Sequence, residues 1–240
     1  MLVTVVAGGC GRSEEAQAPK ANPARTCTAG TFHRIGSSRL AYAAVVRSRA
    51  AVSHRPGGRP FASFGRLNVN RVPTIFSARG YRVDRRCRRV AYLVQIPRRP
   101  NGVVGWVPAK QVGLEPVRTR IVVDLSAKRV TLYKNGERIL SATAAIGSPA
   151  TPTPTGSFYV NQRLIPTDPS GPYGPGAVGI SAFSNVLTGW TQGGPIAIHG
   201  TNAPWSIGQA VSNGCVRLPN TTLRKVFAQA LSGTPVLIRR

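Results

Sequence analysis

Along most of this chain apolar positions recur in short blocks or at every second residue, which is the spacing of strands. Between residues 28 and 116 the blocks are broken by Gly, Pro and Arg. AYAAVV (41–46), ASFGRLNV (62–69), TIFSA (74–78), VAYLVQI (90–96) and GVVGWVPAKQV (102–112) read as strands. Short strands with frequent turn residues predict a small barrel. A second unit opens near Thr119, where Ile121, Val123 and Leu125 alternate with other residues. RVTLY, then Asn135-Gly136, then RILSATAAI (138–146) predict a β-hairpin, since Asn-Gly favours the tight turn that right-twisted strands need.

Alternating Pro in TPTPTG (151–156) excludes regular structure, and SFYVNQ (157–162) returns to a strand pattern. PTDPSGPYGPG (166–176) is too long for a tight turn and reads as a lid-like loop. PIAIH (195–199) is a strand with Ala197 and His199 on one face. From Thr222, Leu223, Val226, Phe227, Ala230 and Leu231 recur at helical spacing, and Gly233 is placed to end the helix. PVLI (235–238) is a closing strand. The expectation is a mainly β chain: a tether over 1–27, a small barrel over 28–116, and a mixed β domain over 119–240 with one clear C-terminal helix.

Charge narrows the chemistry. Thirty-two Lys and Arg stand against seven Asp and Glu, for a formal charge of +25. Such a surface attracts polyanions, and anionic wall polymers are candidate partners. The basic residues are scattered, and nothing resembles a nucleic-acid-binding module, so nucleic acid is not expected. Carboxylates are too sparse for a glycosidase pair or a hard-metal cage, and the only close neighbours, Glu14 and Glu15, lie in the tether. Attention moves to Cys and His.

There are four cysteines and no CxxC spacing, so neither a zinc site nor any other metal is expected. MLVTVVAGG (1–9) ends in small residues directly before Cys10, as export signals end. It resembles the lipobox of bacterial lipoproteins, which implies lipidation at Cys10, a membrane anchor and an extracytoplasmic setting. Residues 11–26 read as a polar tether. Outside the cytosol Cys27 and Cys87 are a candidate disulfide, closing a loop long enough to contribute about 4 kcal/mol in the chain-entropy view.

Cys215 remains, and a nucleophilic thiol needs a neighbouring base. His33 and His54 lie in the first unit, which leaves His199. Gly214 permits a tight turn that aims successive amides at one point, the construction of an oxyanion hole. Arg217 offers a fork for a carboxylate or developing negative charge. Taken alone, the bland reading of a buried Cys and a satisfied His remains open.

The run HGTNAPWSIGQAVSNGCVRL (199–218) resembles the signature of the L,D-transpeptidase catalytic domain, the YkuD family: His-Gly-Thr, a spacer, then Ser-x-Gly-Cys-[Ile/Val]-Arg. The resemblance covers roughly residues 119–240. It implies a mixed β-sandwich and assigns Cys215 as nucleophile and His199 as base. The Gly200 carbonyl would orient the ring, and the Gly214 and Cys215 amides would form the oxyanion hole. Arg217, Ser212, Asn213 and Thr201 would hold the substrate or the active-site turn. Asn213 stands where many members carry His. The resemblance also implies peptidoglycan stem peptides as substrate, a cell-wall location and no cofactor; a monomer is expected. GWV at 105–107 resembles the closing strand of bacterial SH3-like domains. Two rivals stand beside this reading: a wall cysteine peptidase of the papain or NlpC/P60 kind, whose Cys precedes its His in the chain, and a non-catalytic wall-binding protein.

Overall fold

The computed structural model describes residues 27–240. The signal-like stretch, Cys10 and the tether up to residue 26 lie outside the described residues. The first half carries β1 (Phe32–Arg34), β2 (Ala41–Val46), β3 (Arg49–Ser53) and β4 (Pro60–Gly65). It continues with β5 (Ile75–Val83), β6 (Arg89–Gln95), β7 (Val104–Pro108) and β8 (Val112–Val117). These eight strands form one antiparallel sheet in the order β4-β3-β7-β6-β5-β2-β8, with β1 added on β5. Ala44, Val46, Val52, Phe76, Val94, Ile96 and Val107 are buried at its centre. Cys27 and Cys87 are joined by a disulfide, which ties the start of the described chain to the turn after β5.

The second half opens with β9 (Thr119–Asp124), β10 (Arg129–Lys134), β11 (Glu137–Thr143), β12 (Ile146–Gly147) and β13 (Gly156–Leu164). After these come β14 (Ala177–Phe183), β15 (Pro195–His199), β16 (Ala210–Ser212), β17 (Val216–Arg217), α1 (Asn220–Gln229) and β18 (Pro235–Arg239). The main sheet runs β11-β10-β9-β18-β13-β14-β15-β17, while β12 and β16 pair separately. Two of its pairings are parallel, β18 with β9 and β15 with β17. Ile121, Val123, Ile180, Ile196 and Ile198 pack with Leu223 and Val226 of α1 in a single core. The chain is mainly β, and α1 is the only α-helix among the described residues.

Several elements differ from the sequence expectation for physical reasons. Residues 102–112 are not one strand: β7 ends at Pro108 and a 3-10 turn over Ala109–Gln111 leads into β8. The strand β14 had no clear signal. It is buried on both sides, so alternation disappears, and Gly179 and Ser181 interrupt its apolar run. The helix starts at Asn220 and stops at Gln229, which leaves Leu231 half exposed. Gly233 (φ 92°) serves a close approach instead of a cap, because a Cβ there would lie 2.4 Å from Cβ of Ala43 in the other sheet.

That approach is one of several contacts between the sheets. Tyr159 is fully buried and packs with Ala43, Ile75 and Val117, and its hydroxyl donates to the Ile75 carbonyl at 3.0 Å. The buried Gln95 donates from Nε2 to the Ser157 carbonyl at 2.9 Å. Gln162 Oε1 accepts from Asn68 and Asn70, each at 2.9 Å. The Arg99 guanidinium donates to the Ser184 and Gly193 carbonyls, and Asn101 donates to the Phe183 carbonyl at 2.8 Å. The connection between β6 and β7 therefore holds both ends of the 184–194 loop that leads into β15.

Removing the Tyr159 hydroxyl leaves a buried carbonyl unpaired, at a cost of about 1–3 kcal/mol. Tyr159→Phe is expected to lower the midpoint of chemical denaturation by that amount with an unchanged slope. An unaltered midpoint would show that this bond does not hold the sheets together.

Candidate active site

The site is built on the parallel pairing of β15 with β17, in which Ile198 faces Val216 and His199 faces Arg217. Paired residues of neighbouring strands project to the same face, and residues two apart do so again. His199, Arg217 and Cys215, which immediately precedes β17, therefore share one face. The opposite set, Ile196, Ile198, Val216 and Leu218, is buried in the core. This apolar half fixes the register, since a slip of one residue would turn His199 inward.

His199 is itself buried. Its Nδ1 lies 2.5 Å from the Gly200 carbonyl oxygen. A carbonyl can only accept, so Nδ1 carries the hydrogen and Nε2 is left with its lone pair. Burial lowers the His199 pKa to about 4; the Gly200 hydrogen bond opposes this, and the Arg217 charge adds to it. The ring is neutral at neutral pH, which a base requires.

Gly200 can only be glycine here: a Cβ would meet Asn220 Oδ1 at 2.4 Å and Pro175 Cδ at 2.7 Å. Asn220, at the start of α1, accepts the Thr201 amide at 2.8 Å and so braces the turn after β15. Tyr173, from the 166–176 loop, sets its ring edge-on to His199 with centroids 4.9 Å apart. Neither Asn220 nor Tyr173 was found by reading the sequence. Asn220 carries no pattern of its own, while Tyr173 lies in the loop whose length marked it as lid-like.

Cys215 is partly buried and is the one free cysteine among the described residues. Burial pushes its thiol pKa up, while a hydrogen bond from the Ala197 backbone and the Arg217 charge pull the other way. Arg217 thus acts electrostatically on both His199 and Cys215. The turn before Cys215 is pinned by Ser212, whose Oγ donates to the Cys215 carbonyl at 2.5 Å and accepts the Gly214 amide at 3.2 Å. Gly214 has φ 104°, a region open to glycine. The Cys215 amide meets no acceptor among the described residues.

The other residues singled out from the sequence lie as follows. Arg217 exchanges both backbone hydrogen bonds with Ala145, each 2.9 Å, which anchors β17. The Thr201 side chain is buried and accepts the Ala203 amide at 2.9 Å. Asn213 is exposed at the turn's tip. Cys27 and Cys87 lie in the first half of the chain, away from these residues. Among the described residues no group of three His, Cys, Asp or Glu side chains could hold a metal.

A thiol raised by burial and an imidazole lowered by burial are both uncharged at rest, not a thiolate–imidazolium pair. The rate of Cys215 alkylation by iodoacetamide is expected to climb with pH across 7–9, with no plateau from pH 5 to 8. A pH-independent rate over that lower range would mean a resting ion pair and contradict the assignment.

Comparison with known proteins places this architecture. The model of the L,D-transpeptidase catalytic domain, YkuD, matches residues 118–238. YkuD of Bacillus subtilis is 38% identical over 120 residues, covering 50% of this chain and 65% of its own. L,D-transpeptidase 1 of Mycobacterium tuberculosis is 26% identical over 167 residues, covering 57% of this chain and 62% of its own. The chain thus spans less than two thirds of the length of these relatives. A crystal structure of an Enterococcus faecium L,D-transpeptidase is 28% identical, with a TM-score of 0.40, covering 50% of this chain and 49% of that one. With half of its length matched by the family model, the chain belongs to the YkuD family of L,D-transpeptidase catalytic domains.

Proposed function

We propose that this chain is a peptidoglycan L,D-transpeptidase acting through an acyl-enzyme at Cys215. The observation that carries the reading is the placement of a neutral His199, with its Nε2 lone pair free, on the same face as the Cys215 thiol. His199 Nε2 takes the thiol proton as Sγ attacks the carbonyl of the third residue of a tetrapeptide stem. The resulting oxyanion is met by the Cys215 amide, and by the Gly214 amide once it leaves its long bond to Ser212 Oγ. The imidazolium returns the proton to the departing D-Ala amine, leaving a thioester. A side-chain amine of a neighbouring stem then attacks the thioester, His199 accepts its proton, and the thiol is regenerated with a crosslink formed. Water in place of the amine gives a carboxypeptidase product.

Burial of both groups in the resting site favours this timing. Proton transfer occurs as the nucleophile attacks, so no buried charge stands waiting. Arg217 remains close to both, where its fork suits a stem carboxylate and its charge the oxyanion. Ser212 and Thr201 serve the backbone of the two turns, and the exposed Asn213 is available for substrate contact. Carbapenem β-lactams are expected to acylate the same thiol. Residues 28–116 are proposed as an SH3-like, wall-facing unit, 119–240 as the catalytic domain, and Cys10 as a lipid anchor that keeps the enzyme at the extracytoplasmic face.

The proposal is tested by incubation with a defined tetrapeptide stem and mass analysis of the products. Wild type is expected to release D-Ala and yield crosslinked dimer, with tripeptide where water competes. Cys215→Ala is expected to abolish both, and His199→Ala to slow acylation roughly a hundredfold or more in a folded protein. Undiminished D-Ala release by Cys215→Ala, or cleavage of existing crosslinks by wild type, would sink the assignment.

A further inference from the structure

Two adjoining recesses of about 680 Å³ and 420 Å³ open along the seam between the two sheets. They share Ser38, Arg39, Arg120 and Leu237, so together they form one groove. Arg34, Arg39, Arg79 and Arg120 line the larger recess, and Arg239 joins Arg39 and Arg120 in the smaller. No Asp or Glu lines either recess. Arg239 is partly neutralised by Asp124 at 3.2 Å. Among the described residues, none of the other four has a carboxylate partner.

Gathering like charges in a recess costs free energy unless an anion offsets it. The arrangement is nevertheless held in place. The Arg79 guanidinium donates to Gln95 Oε1, and Gln95 is fully buried with its Nε2 fixed on the Ser157 carbonyl of the facing sheet. Partial desolvation of its guanidinium lowers the Arg79 pKa although the residue as a whole stays exposed, and the neighbouring Arg34 charge adds to that effect against the opposing influence of Tyr159. Both sheets contribute: Arg34 and Arg79 stand on β1 and β5, and Arg120 on β9. Ser37, Ser38 and the largely buried Ser77 line the larger recess together with the arginines.

We propose that this groove binds a linear polymer of phosphodiesters and polyol units, at a site separate from Cys215. Guanidinium forks match phosphate oxygens bidentately, and the Ser37 and Ser38 hydroxyls of the lining suit polyol oxygens. A groove continuous through Arg39 and Arg120 fits a chain better than a single small anion. Nucleic acid fits less well, because a strand of bases needs successive free aromatic faces. Phe158 is buried and the Phe32 ring is engaged by Trp106 at 5.9 Å, which leaves the half-buried Tyr133 as the one unengaged ring along the groove. The groove borders β13, which β14 separates from β15 and the Cys215 turn. Bound polymer would therefore leave the reacting residues accessible and hold the enzyme beside an anionic wall.

The test is binding of labelled poly(glycerol phosphate) to the full chain at physiological salt, read by fluorescence anisotropy. Arg39→Gln/Arg120→Gln is expected to weaken binding about tenfold through the loss of two charge-assisted contacts. The charge-matched control Arg55→Gln/Arg59→Gln changes two exposed arginines outside the groove and is expected to alter it less than about twofold. Thermal melts of both variants check the fold, and the polymer should raise the melting temperature of wild type by more than that of the groove variant. Equal weakening by the two pairs would overturn the site in favour of the diffuse positive surface. Competition by inorganic phosphate at matched phosphate concentration would overturn the polymer and indicate a small-anion pocket. Tighter groove-dependent binding of a single-stranded oligonucleotide would overturn the choice of ligand. Because Cys215→Ala should bind the polymer like wild type, a failure here is distinguishable from a failure of the acyl-transfer proposal.

Discussion

Val216 and Arg217 pair in parallel with Ile198 and His199, and the arrangement of the candidate site is a consequence of that short ladder. One face of the ladder is apolar and buried, so the strands cannot slide without exposing Ile196, Ile198, Val216 and Leu218. The other face is thereby committed to His199, Cys215 and Arg217. Everything around it serves to hold the two ends. Ser212 pins the turn into β17, Ala145 brackets Arg217, and Asn220 braces the turn out of β15.

The same burial that positions the pair sets its electrostatics. His199 is kept neutral down to about pH 4, and the Cys215 thiol is held above its ordinary range. In the proposed reaction, charge separated only as the substrate is attacked would be stabilised more strongly in a site of low polarity, by the Cys215 amide and the Arg217 guanidinium. Support reaches the site from outside its own sheet as well. Arg99 and Asn101 hold the loop that feeds β15, while Tyr159 and Gln95 close the seam between the sheets. The seam also carries the arginine-lined groove, so one boundary joins the halves and gathers the uncompensated positive charge.

Much of this was readable before the structure. Asn135-Gly136 marked the β10–β11 turn, where both residues take positive φ, and the alternation in 119–125 marked β9. The signature around His199 and Cys215 named the family because turns built from Gly and Ser leave a fixed local spacing. What stayed hidden depends on contacts distant in sequence. The strand β14 loses alternation because both its faces are covered, and Gly233 answers to Ala43 in the other sheet rather than to the helix before it. Asn220 acts on Thr201 across 19 residues, a relation that no local pattern records. The Arg34, Arg39, Arg79 and Arg120 cluster was likewise invisible, since along the chain its members look scattered.

The central claim is that Cys215 becomes covalently acylated by the stem peptide. Rapid acid quenching of the full chain during turnover, followed by intact-mass measurement and peptide mapping, tests it directly. The account predicts a mass increase equal to the tripeptide acyl group, confined to the peptide containing Cys215 and removed by hydroxylamine as a thioester should be. Product formation with no adduct at any time point, or an adduct mapped to another residue, would contradict it.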